Sequence, residues 1–174
     1  MPDTPANPAK KRASKRRPWV FAFALLFVSV VFWGFRALLP GLPEIHPVDL
    51  EAAQGVWSRA APADYDLTVQ LSGRQTGELK VSVRKGAATG MTRNGTPMRQ
   101  ERTWEPWTVP GMFETLATDF ENRENAEDKF GVESSSIHMR CVFDPQYGFP
   151  KHYLHQIYGR HQDLEWTVTE FVVR

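Results

Sequence analysis

The apolar positions of this chain follow three rhythms, one after another. From Trp19 to Phe35 seventeen residues pass without a charge, and Arg36 lies close enough to an interface to snorkel, so the usable apolar span extends to Leu39. That length crosses a bilayer, and residues 18–39 are expected to form a transmembrane helix. The stretch "LPGLPEIHPV" then carries Pro40, Pro43 and Pro47 and reads as a semi-extended spacer over 40–48. Next comes helical spacing: Asp49 is placed as an N-cap, with Leu50, Ala53 and Trp57 on one stripe and an end before Pro62.

After Pro62 the period becomes two. Tyr65, Leu67, Val69 and Leu71 alternate with Asp66, Thr68 and Gln70; Leu79, Val81 and Val83 alternate with Lys80, Ser82 and Arg84; a weaker strand follows Gly86. These predict a three-stranded antiparallel meander. A linker through "NGTPMRQERTWEPW" leads to a second helix capped by Thr108, with Met112, Phe113, Leu116 and Phe120 on one stripe. Three further strands are predicted over 137–143, 151–158 and 164–173. The expected fold class is therefore α+β: an antiparallel sheet with two helices on one face, in the order of a duplicated helix-plus-three-strand unit. The alternation implies that the other face of the sheet is open to solvent.

Charge sharpens this organisation. The net charge is +1, yet residues 1–40 hold seven Lys or Arg against one acid, which leaves fourteen basic and nineteen acidic residues for the rest. A mildly acidic domain lacks the electrostatic footprint of a nucleic-acid binder. The six basic residues between Lys10 and Arg17 abut the apolar span instead, where the positive-inside rule retains them in the cytoplasm. No small-x-small cleavage site follows the span: cleavage after Ala37 would put Phe35 at the minus-three position, and cleavage after Gly41 would put Leu39 there. The expected organisation is a disordered basic cytoplasmic tail (1–17), a single-pass signal-anchor (18–39), the spacer (40–48) and an extracytoplasmic domain (49–174). The lipid bilayer is thus one expected partner, and a protein, peptide or glycan of the cell envelope is the other.

Candidate chemistry is sparse. Cys141 stands alone, which excludes an intramolecular disulfide, and it shares a strand face with Ile137, Met139 and Phe143, so it is expected to be buried and inert. There is no Gly-rich phosphate loop, no GxSxG and no HExxH, and no cofactor or metal is expected. The segment "FDPQYGFPKHYLH" is the densest in reactive groups. Each residue of its turn nonetheless serves the backbone. Asp144 accepts a hydrogen bond from the backbone two residues on, Pro145 fixes φ, Gly148 permits a positive φ, and Pro150 opens a strand where its missing N–H does least harm. His152 and His155 lie three apart on a strand and cannot share a metal. A reversal over Tyr158 to Leu164 would put His152 beside Glu170 and His155 beside Thr167, with His161 at the loop tip.

Two functions follow. One is a binding or interaction module whose open face carries Asp66, Thr68, Lys80, Ser82 and Arg84 together with Lys151, Tyr153 and His155, of which Lys80, Arg84, Lys151, Tyr153 and His155 are the candidate ligand contacts; the Trp104 and Trp107 linker is a second contact region. The alternative is an envelope hydrolase using Asp144, His152 and Glu170. Convergence of those three side chains in one pocket would favour the hydrolase, and scattered, hydrogen-bonded placements the module.

The succession "YDLTVQL", "GELKVSVRKGAATG", "RNGTP", "VPGMFETLATDF" and "CVFDPQYGFPKHY" resembles the bacterial domain of unknown function 6174 family over about residues 57–173, with FDPxYGFP as its most specific part. The resemblance implies an extracytoplasmic α+β domain, membrane-anchored or secreted, and no reaction. It also implies cysteines in the first hairpin of many members, whereas "LSGRQTGELK" has none.

Overall fold

Helix-compatible spacing becomes helix wherever a stripe of apolar residues finds a sheet to cover. In the computed structural model, which describes residues 41–160 and 163–174, α1 (Pro47–Ala60) buries Leu50 and Ala53, and α2 (Val109–Glu124) buries Met112, Phe113, Leu116 and Phe120. The span expected at 18–39 lies outside the described residues, and among those described no helix is long and apolar enough to cross a membrane. The α2 cap is the one read from sequence, with the Thr108 hydroxyl accepting from the Gly111 N–H at 3.2 Å. Helix α1 starts earlier than expected. Its N-cap is His46, and Asp49 sits in the first turn with its carboxylate accepting from the His46 N–H at 2.9 Å. A carboxylate reaching back in this way satisfies an amide that the helix itself leaves free.

The strands are β1 (Tyr65–Gly73), β2 (Gly77–Arg84), β3 (Ala87–Arg93), β4 (Thr96–Pro97), β5 (Ile137–Phe143), β6 (Pro150–Ile157) and β7 (Leu164–Val173). They form one antiparallel sheet in the order β4-β3-β2-β1-β7-β6-β5. Each meander supplies three neighbours, and β1 against β7 joins the two. The linker before α2 is more structured than the sequence suggested. Asn94 and Gly95 both have positive φ and turn the chain into β4, as an Asn-Gly pair between strands does. Two single turns of 3-10 helix follow, over Glu101–Thr103 and Glu105–Trp107. A short helix α3 (Ala126–Phe130), absent from the sequence reading, extends α2 by one turn past Asn125 and ends at Gly131 with positive φ.

One face of the sheet makes the core. Leu67, Val69, Leu71, Leu79, Val81, Val83, Met139, Cys141 and Trp166 are all buried, in register across their ladders: Leu67 opposite Val81, Val69 opposite Leu79, Leu71 opposite Trp166. Both long helices lie over it, Trp57 of α1 edge-on to Tyr65 at 5.7 Å and Phe113 of α2 stacked with Phe143 at 6.5 Å. Burying apolar side chains on this scale is the main force holding the layers together. The Tyr65 hydroxyl accepts from the Val109 N–H at 3.1 Å and so ties the start of α2 to the first strand.

The described part of the expected spacer, residues 41–48, is not free. Ile45 is buried, its N–H donates to the Met139 carbonyl at 3.1 Å, and the Cys141 N–H donates to the Pro43 carbonyl at 3.1 Å. Pro43 to Ile45 therefore run along the outer edge of β5 and cap it, and the folded unit begins before residue 49, the boundary expected from the sequence.

Candidate functional site: the bare sheet face

The motif at the start of β6 builds a turn that clamps α1. Asp144 Oδ1 accepts from the Gln146 N–H at 3.0 Å and the Tyr147 N–H at 2.9 Å, and the Asp144 carbonyl accepts from the Gly148 N–H at 2.8 Å. With one carboxylate oxygen holding two amides, this side chain is engaged in the fold. Gly148 has φ +78°, and a Cβ there would lie 2.4 Å from the Ala53 carbonyl oxygen of α1. Only glycine permits both that conformation and that approach. The flanking rings complete the clamp: Phe149 stacks on Phe171 at 4.7 Å and Tyr147 lies 5.2 Å from the same ring, which in turn meets Trp57 and Tyr65. Pro150 is buried at the first position of β6.

Two expected open-face residues belong to the opposite face. Tyr153 is fully buried and His155 nearly so, at 0% and 7% exposure, both toward the helices. The cause is a bulge at Lys151: Val142 pairs with His152 but Phe143 with Pro150, so the phase of β6 is reset and Tyr153 falls opposite the inward Cys141. Lys151 itself is exposed at the bulge. The Tyr153 hydroxyl donates to Asp119 Oδ2 at 2.8 Å, and its ring packs on Trp166 at 4.5 Å. Burial pushes the Asp119 carboxyl above its usual range, against the opposing pull of His155 and of the Tyr153 hydroxyl. Burial and the neighbouring Asp119 carboxylate drive the Tyr153 phenol well up. Burial also raises the Cys141 thiol strongly, which makes it a poor nucleophile at neutral pH. Among the described residues, His155 Nε2 and Trp166 Nε1 have no hydrogen-bond partner. Sequence reasoning missed Asp119, although it falls seven residues after Met112 on the buried stripe, where a carboxylate demands a partner.

The register between β6 and β7 also differs from expectation. His152 is opposite Thr167 and His155 opposite Leu164, three residues from the predicted pairs. The observed pairs are centred between Gly159 and Arg160, and Gly159 supplies a positive φ, +81°, there. His161 lies outside the described residues. His152 Nε2 consequently meets Glu165 Oε1 at 2.8 Å, while Glu170 accepts from the Thr68 hydroxyl at 3.2 Å. Asp144, His152 and Glu170 each have a separate local partner.

What remains is the face away from the helices. It presents Asp66, Thr68 and Gln70 from β1, Lys80, Ser82 and Arg84 from β2, His152, Leu154 and Gln156 from β6, and Glu165 and Thr167 from β7. Its charges are largely compensated: Arg84 and Arg174 hold the two oxygens of Asp66 at 2.9 and 2.6 Å, and Lys80 meets Glu78 at 3.4 Å. Burial alone would raise the Asp66 carboxyl, but hydrogen bonds from Arg174, Arg84 and Ser82 outweigh it and hold the group below the usual carboxylate range. Trp104 and Trp107, the second expected contact region, are both partly buried, with Trp104 Nε1 donating to the Met98 carbonyl at 3.1 Å and Trp107 edge-on to Trp166 at 5.9 Å.

The family of unknown function DUF6174 matches residues 49–158. The chain belongs to that family. The DUF6174 match takes in both long helices, the first meander, the Asp144 turn and β6, and stops before β7, the strand that joins the two meanders. No curated protein and no solved structure matches the chain.

Proposed function

We propose that the protein is a single-pass, membrane-anchored binding module of the cell envelope, with its basic tail (1–17) in the cytoplasm and its DUF6174 domain outside, where it engages a protein partner. The anchor and its orientation rest on the apolar run from Trp19 and on the basic cluster before it. The binding role is supported above all by the disposition of the reactive groups. Asp144 is held by a turn, His152 by Glu165, Glu170 by Thr68 and Asp119 by Tyr153, whereas no described helix packs on the far face of the sheet. A hydrolase would need some of these groups to converge on a common cleft. The finer form of the fold reading, a duplicated helix-plus-three-strand unit, draws support from the meander β1 to β3 after α1 and the meander β5 to β7 after α2, with the two-residue β4 as an addition to the first.

The test is photo-crosslinking from the full-length chain in its native membrane, with the crosslinker placed in turn at Lys80, Gln156 and Thr167. A discrete adduct from at least one position, absent on the unphotolysed sample, is the expected result. No adduct from any of the three would remove the bare face from consideration as a binding surface.

A further inference from the structure

Both ends of the sheet are partly covered by the chain's own backbone. On one side Pro43 to Ile45 cap β5. On the other, β4 pairs with only Thr92 and Arg93 of β3, and Met98 adds one more bond, its N–H donating to the Met91 carbonyl at 2.9 Å. The chain then leaves into its 3-10 turns. Ala87 to Gly90, bulged at Thr89 where Ser82 pairs with Gly90 and Val83 with Ala88, are thereby left with β2 on one side and, among the described residues, no strand on the other. Ala87 and Thr89 are exposed and Ala88 and Gly90 half-buried. An uncovered run of backbone donors and acceptors is a template for an added strand, and folded proteins usually block it.

Beside this run lies a cleft of about 420 Å³, with Gly86, Ala87 and Ala88 on one wall and the 3-10 turns and the start of α2 on the other. Glu101, Glu105 and Glu114 line it, against Arg102 as the one basic group there, and the structure gives none of the three carboxylates an ion pair among the described residues. The start of α2 does not make the cleft a site for anions. Its first amides are taken, Val109 by the Tyr65 hydroxyl and Gly111 by the Thr108 hydroxyl, and Pro110 has none. Free carboxylates therefore set the sign of the pocket, and the small side chains of Gly86, Ala87 and Ala88 leave room for backbone to come close.

We infer that the β3 edge from Ala87 to Gly90 binds an extended segment of a partner protein as an additional strand, prolonging the line of β4, with a Lys or Arg of that segment in the cleft beside Glu101, Glu105 and Glu114. This rests on the binding-module reading and makes it more specific: main-chain hydrogen bonds supply the pairing and the carboxylates select the side chain. A strand added here also brings the partner alongside the bare face of the sheet.

The experiment uses the full chain in lipid nanodiscs and a fluorescent nine-residue peptide of alternating Val and Lys, read by anisotropy at low salt. Three comparisons decide it: the same peptide N-methylated at alternate residues, a Val and Glu peptide, and the Glu101→Gln, Glu105→Gln, Glu114→Gln triple variant, whose positions are exposed or on the cleft wall. Binding of the Val and Lys peptide is expected, weakened at least tenfold in each comparison. Failure of the parent peptide to bind, equal binding of the N-methylated peptide, or equal binding of the Val and Glu peptide would overturn the inference. So would self-association of the chain that is abolished by a Pro at Ala88, since the edge would then be filled by a second copy. A photo-crosslinker at Ala88 separates this inference from the reading beneath it: adducts from Lys80, Gln156 or Thr167 with none from Ala88 would leave the module standing and the edge excluded, and adducts from no position would remove both.

Discussion

Gly148 shows how much a single position can determine. Its φ of +78° and the 2.4 Å approach to the Ala53 carbonyl mean that Gly148→Ala must both strain the turn and push α1 off the sheet. The expected loss is roughly 2 kcal/mol or more in chemical denaturation, larger than the ~1 kcal/mol for Asp144→Ala, which loses side-chain hydrogen bonds in an exposed turn. Equal stability of Gly148→Ala and the parent would mean that the turn does not clamp α1. Tyr153→Phe leaves a half-buried Asp119 carboxylate without its donor, and should cost about 1 to 3 kcal/mol with the fold retained; urea titrations of the two proteins measure it. The role of the turn residues was legible because Asp, Pro and Gly each act on their own backbone. Tyr153 was not legible, because its direction depends on a bulge opposite Phe143 that no local pattern announces.

At the level of elements, helices and strands were legible from period and caps, and the unexpected pieces are those too short to show a period: β4, α3 and the 3-10 turns. The Asn94-Gly95 pair was the available signal for β4. Pairing of β6 with β7 required knowing which glycine turns the chain, and so the His152 partner became Glu165 rather than Glu170. The bare face was foreseen as a face, but its membership shifted with that register and with the bulge. One ion cluster on it joins Asp66 of β1 to Arg84 of β2 and to Arg174 just after β7. Because the Asp66 carboxyl is held below its usual range in the fold, it releases its proton more readily folded than unfolded. Its stabilising contribution is therefore present above the unfolded carboxylate pKa of about 4 and disappears as pH falls through the lower folded value. Asp66→Asn should remove about 0.5 to 1 kcal/mol at pH 7, as expected of a partly exposed pair, and should flatten the fall in stability as the pH drops below about 4. Parallel acid profiles of parent and variant would contradict the assignment.

On the scale of the whole molecule, the two edges of the sheet differ. The segment after the apolar run is tied by backbone hydrogen bonds to β5 as early as Pro43, while the uncovered β3 edge lies at the opposite end of the seven-stranded sheet. The proposed function depends on topology, for which the sequence speaks through six basic residues between Lys10 and Arg17 beside seventeen uncharged ones from Trp19. Protease added outside spheroplasts, followed by immunoblotting for each end of the chain and a carbonate wash of the membranes, reads that topology. The expected result is digestion of the domain from Glu44 onward, a protected basic tail, and full-length protein that stays with the membrane before digestion. A soluble chain beginning near residue 40, or a domain fully protected from protease, would contradict an outward-facing anchored module.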